Sequence, residues 1–65
     1  MHELKIRFRL GNFVRVNTKD FYAGCLGHTV DYEIIAGVGT FYKVKLEFDG
    51  RIIDVPEYAL EIAHG

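Results

Sequence analysis

Thr40 to Phe48 is the clearest strand signal, and from Tyr42 to Phe48 apolar and polar side chains alternate without a break. Tyr42, Val44, Leu46 and Phe48 fall on one side, and Lys43, Lys45 and Glu47 on the other. A period of two puts successive side chains on opposite faces of an extended strand, and it does not suit a helix, whose face repeats about every 3.6 residues. Asp49-Gly50 follows at once, a strong hairpin signal, and Arg51 to Val55 supplies a returning strand. Pro56 ends that strand, because proline has no N–H for a ladder.

The rest of the chain follows the same period. Leu4, Ile6, Phe8 and Leu10 alternate with Lys5, Arg7 and Arg9, which predicts a half-buried first strand. Gly11-Asn12 breaks it, and Phe13 to Asn17 forms a second strand with Val14 and Val16 on one face. Residues 18 to 27 read as a loop, in which Gly24 and Gly27 are available for positive φ or close backbone approach. Residues 28 to 35 are β-prone throughout, and residues 36 to 39 connect a hairpin. The PEYAL run predicts one 3-10 turn starting at Pro56, and Leu60 and Ile62 a short last strand. The expected fold is all-β, a small barrel of five to six antiparallel strands with one 3-10 turn before the last. Val14, Val16, Leu26, Tyr42, Val44, Leu46, Phe48, Ile53, Val55, Leu60 and Ile62 are the expected core.

A chain of 65 residues is one domain, 1–65. A domain of this size buries only about 60% of the surface its unfolded chain exposes. Small-molecule sites usually take roughly 300–1,000 Å³, so size favours a non-catalytic binding module over an enzyme. The lone Cys25 cannot form an intrachain disulfide, which fits a reducing, cytoplasmic setting. The N-terminal run resembles neither a signal peptide nor a membrane anchor, and Met1 points to a whole protein. The net charge of −1 is unevenly spread: Lys5, Arg7, Arg9, Arg15 and Lys19 gather near the start, while acidic residues dominate after residue 46.

Gly11-Asn12-Phe13-Val14-Arg15-Val16, then Phe21-Tyr22-Ala23-Gly24-Cys25-Leu26-Gly27 and Thr29, resembles the KOW motif of transcription elongation factors and ribosomal proteins. The resemblance covers about residues 11–34. Asn12 stands where the motif is usually acidic, Lys19-Asp20 where it often has Gly-Pro, and Thr29 where it usually has valine. A meander, one helical turn and a short final strand is also the connectivity of SH3-like barrels, and the run from Tyr42 to Ile62 is similar to their closing half. The tryptophan and the Ala-Leu-Tyr-Asp-Tyr run of peptide-binding SH3 domains are missing, so Tyr58 is expected to pack the helical turn. The resemblance implies contact with RNA, DNA or a nucleoprotein machine.

Lys5, Arg7 and Arg9 on one strand face, extended by Arg15 and Lys19, suit a phosphate backbone, and Phe21 and Tyr22 suit stacking on unpaired bases. Cations also protect edge strands from aggregation, which is the structural alternative. Phe13, Phe41 and Ile52 lie opposite the core and offer the second reading, a protein-interaction adaptor or small inhibitor. Exposed edge strands would also allow homo-oligomers. Cys25 and His28 have no evident orienting group for catalysis. His2, His28, His64 and Cys25 are too scattered for a structural metal site, so no metal or other cofactor is expected. Asp31 and Glu33 are expected to be solvated, or paired with Lys43 or Lys45.

Overall fold

Strong alternation becomes strand wherever a neighbouring chain supplies a ladder. The computed structural model describes residues 6–64. The strands are β1 (Phe13–Val16), β2 (Leu26–Ile35), β3 (Gly39–Leu46), β4 (Ile52–Pro56) and β5 (Leu60–Ile62), with a 3-10 turn at Glu57–Ala59 before the last. They form one antiparallel sheet in the order β4-β3-β2-β1-β5. The fold is therefore all-β, with the expected order of elements. The sheet is not closed into a barrel, because β4 and β5 stand at its two ends. It still coils round one core: Val55 of β4 and Leu60 of β5 belong to the same buried cluster as Val14, Val16, Tyr42, Val44 and Leu46.

The two loop glycines divide the roles expected of them. Gly24 takes φ 84°, a left-handed turn position. Gly27 makes the close approach: a Cβ there would collide with the Lys45 carbonyl oxygen and come within 2.8 Å of Val44 Cγ1. A bulge in β2 between Thr29 and Asp31 then shifts the side-chain parity by one. Thr29 and Tyr32, three apart, therefore sit opposite Val44 and Tyr42 respectively.

The predicted first strand is the main correction. Residues 6–12 form bends and a turn, not a strand, and Leu4 and Lys5 lie outside the described residues. The backbone N–H groups of Arg7 and Phe8 donate to the Tyr42 hydroxyl at 3.0 and 3.1 Å, and that of Arg7 also to Glu57 Oε2 at 3.0 Å. Side-chain acceptors thus replace a ladder. Phe8 is buried edge-on against Tyr42, with ring centroids 5.4 Å apart, and Ile6 packs beside it. Burying Phe8 is worth about 1.5–3 kcal/mol and each hydrogen bond about 0.5–1.5 kcal/mol. Both kinds of contact therefore matter in holding the segment.

Four core assignments also change. Leu46 N–H donates to the Arg51 carbonyl at 2.8 Å, which closes the hairpin and leaves Phe48 in the loop, 64% exposed. Ile62 pairs with Val14 but lies on the end strand and is exposed. Leu26 and Ile53 are only half-buried, while Phe8, Ala59 and Ala63 are buried. Tyr58 does not pack the 3-10 turn; Ala59 is its buried residue, and Tyr58 is 85% exposed.

Tyr42 is fully buried, and its hydroxyl donates to Glu57 Oε2 at 2.8 Å. Burial, chiefly, raises its pKa above the ordinary phenol value. A raised acid pKa means stability that is present below the unfolded value of about 10 and lost as pH rises toward the folded one. Tyr42→Phe should cost about 1–3 kcal/mol in urea unfolding, since buried N–H groups lose their acceptor. The wild type should lose stability above pH 10 more steeply than the variant.

Candidate nucleic-acid interface

Residues 17–25, between β1 and β2, form a tied loop. Gly24 N–H donates to the Val16 carbonyl at 2.8 Å, Val16 N–H to Cys25 at 2.8 Å, and Asn17 N–H to Ala59 at 2.7 Å. Asp20 Oδ1 accepts from Thr18 Oγ1 at 2.6 Å and from Tyr22 N–H at 2.9 Å, an Asx-type closure. Those bonds, the Thr18 hydroxyl first, hold the Asp20 carboxyl below its usual pKa.

This loop presents Phe21 to solvent, 81% exposed, edge-on to Tyr22 at 5.3 Å between centroids. Tyr22 itself is half-buried against the core, so it braces Phe21 instead of standing free. The guanidinium of Arg51 lies beside the Tyr22 hydroxyl, and that neighbour, ahead of Asp49, raises the Arg51 pKa. Arg51 stands in the adjacent β3–β4 connection, where its N–H donates to Asp49 Oδ1 at 2.9 Å. Glu47 N–H donates to the Leu26 carbonyl at 2.9 Å, which lays this connection against the start of β2. The assembly of Phe21, Tyr22 and Arg51 was legible only in part: Arg51 sits in an acidic stretch of sequence, and proximity across two loops leaves no local signal.

Of the other expected phosphate contacts, Arg7, Arg9 and Arg15 do not share this loop. Arg7 lies in the N-terminal segment, its guanidinium 5.5 Å from the Phe8 ring centroid. Arg9 opens a turn in which Gly11 takes φ 91° and Asn12 N–H reaches back to the Arg9 carbonyl at 3.2 Å. Asn12 Oδ1 accepts from Arg9 N–H at 2.9 Å. Buried Thr29 completes the turn: its hydroxyl donates to the Arg9 carbonyl at 2.6 Å and accepts from Asn12 N–H at 3.1 Å. Arg15 is engaged by Glu61 across β1 and β5 at 3.3 Å. Lys19 is exposed beside Phe21, and Lys5 lies outside the described residues.

Phe13, Phe41 and Ile52 share the outer face but do not touch. The register runs Phe13, His28, Lys45, Ile52 across four strands, so roughly 14 Å separates the ends of that row. Phe41 lies four residues from Lys45 along β3. Phe13 stacks on His28 at 5.0 Å, and His28 Nδ1 meets Glu47 Oε1 at 3.1 Å. Cys25 packs toward the core while His28 lies on the outer face, so the two do not form a pair. Among the described residues no three of His, Cys, Asp and Glu gather as metal ligands; His2 lies outside them. Among the described residues no helix is long and apolar enough to cross a membrane.

The chain matches no family model, no curated protein and no solved structure.

Thr29→Val keeps the shape but removes two hydrogen bonds and leaves the Arg9 carbonyl and Asn12 N–H only each other, which should cost about 1–3 kcal/mol and speed amide exchange at Arg9 and Asn12. A lowered carboxyl pKa gives stability present above the unfolded value and lost as pH falls through the folded one. Exchange at the Tyr22 amide, corrected for intrinsic rate, should therefore accelerate below about pH 3.9, and Asp20→Ala should produce the same opening at neutral pH.

Proposed function

We propose that this protein is a non-catalytic binding module that contacts RNA or DNA, alone or within a nucleoprotein machine, through the loop end of its sheet. The observation that carries this reading is Phe21, held open on a tied loop with Tyr22 behind it and the Arg51 guanidinium on the adjacent connection. An aromatic ring kept in water by an ordered loop suits stacking on an unpaired base, and a guanidinium beside it suits the adjoining phosphate. Lys19 adds charge on the same loop, and Arg7 and Arg9 offer a separate basic contact on the N-terminal segment. The resemblance of residues 11–34 to the KOW motif points the same way, as does a cytoplasmic setting.

A protein partner is the second reading. Phe48, 64% exposed, and Ile52, 55% exposed, flank Arg51 in sequence and are apolar surface that nucleic acid would not need.

Titration with short mixed-sequence single-stranded RNA and DNA separates the two. Salt-sensitive amide shifts should appear at residues 19–24 and 51. Phe21→Ala should cost about 1–3 kcal/mol of binding, a stacked base, and Arg51→Gln should flatten the dependence of affinity on salt. Salt-independent binding of a protein that is lost with Phe48→Ser or Ile52→Ser would support the second reading.

A further inference from the structure

Strand β2 is paired on both sides only at its start. On one side it runs with β3 all the way to Ile35. On the other, β1 accompanies it through Leu26, Gly27 and His28, and Asn12 and Gly11 extend the ladder to Thr29. Beyond the bulge nothing among the described residues pairs with that side. One hydrogen bond shows how the exposed edge is kept: Tyr32 N–H donates to the carboxylate of its neighbour, Asp31 Oδ1, at 2.8 Å. That N–H therefore points away from β3 into the open edge, and by alternation the Ile34 N–H does too. Asp31 occupies the position a ladder acceptor would take.

The side chains along this edge differ by face. Asp31 and Glu33 lie on the outer face, opposite Lys43 and Phe41 of β3. Lys43 is the cation between them, but it is bonded to Asp54 at 2.8 Å. That bond, chiefly, and then the fields of Glu33 and Asp31, raises its pKa. One cation thus serves three carboxylates, which leaves this face negative. On the other face Tyr32 is partly buried and Ile34 is exposed.

We infer that the open edge of β2 from Val30 to Ile35 accepts an extended strand of a partner protein that carries cations on one face and apolar side chains on the other. The partner's Lys or Arg draws the Asp31 carboxylate away from Tyr32, and the freed N–H joins the new ladder. Main-chain bonds give the affinity, and the alternate side chains select the sequence. A second copy of this chain is disfavoured in the registers that bring Asp31 and Glu33 together. An antiparallel two-fold pairing centred on Asp31 or Glu33 sets a carboxylate against itself, and one centred on Tyr32 sets Asp31 against Glu33; like charges directly opposite destabilise a pair. This site is on a different element from the loop end and stands or falls independently of it.

The test uses the full chain and blocked synthetic peptides of alternating lysine and valine, or of glutamate and valine. The lysine–valine peptide should shift amides from Val30 to Ile35 and slow hydrogen exchange at Tyr32 and Ile34. The glutamate–valine peptide should do neither. Asp31→Asn with Glu33→Gln should weaken binding about fivefold, as expected for exposed ion pairs, and circular dichroism of this double variant should match wild type. The proposal is overturned if the two peptides bind alike, if the shifts map elsewhere, or if the protein without peptide is already a dimer with Tyr32 and Ile34 protected.

Discussion

The buried hydroxyl of Tyr42 is the point through which three separate parts of the chain are tied. It accepts from the backbone of residues 7 and 8, donates to Glu57 in the 3-10 turn, and stands on β3 between β4 and β2. A fully buried phenol must satisfy its hydroxyl or lose the cost of desolvating it. Here that requirement is met by the segment that covers the core, so Phe8 is delivered into place as the hydroxyl finds its partners. The open sheet thus gains a cover without a sixth strand.

A second polar centre, Thr29, plays a similar part at the other end of the N-terminal segment. Asn12 and Thr29 lie far apart in the sequence and meet in the structure. Each bonds the Arg9 turn, and they bond each other. A valine at position 29 could not bond the turn. The two side chains therefore act together, and they aim a short basic segment that has no ladder of its own. The bulge that follows Thr29 turns β2 from a strand paired on both sides into one arm of a hairpin.

Much of the architecture was legible because its signals are local. The alternation of Tyr42, Val44 and Leu46, the Asp49-Gly50 turn and the Pro56 start of the 3-10 turn each act within a few residues; the first and last are present as read, and the hairpin is present with a wider connection, residues 47–51. The readings that failed share a cause. Residues 4–10 alternate as well as any strand, and alternation did bring Phe8 to the core, but it specifies a face and not a neighbour. Phe48 continued the pattern of β3, yet the bond between Leu46 and Arg51 ends that strand first. Of the candidate site, Phe21 and Lys19 could be picked out as exposed loop residues; Tyr22 proved to be a brace, and Arg51 was hidden among acids.

The sequence by itself determined that this protein is a meander of short strands joined by tight turns, because a period of two and a few glycine and proline positions act through the backbone next to them. The tertiary structure alone decided which strands lie side by side, that the first segment crosses the core instead of joining the sheet, that Arg51 meets Tyr22, and that one edge of β2 is left to the care of Asp31. Apart from the bond between Asp31 and its own neighbour Tyr32, those outcomes rest on contacts between residues far apart in the chain, and their partners are set by where the coiled sheet brings the backbone, which no local pattern encodes.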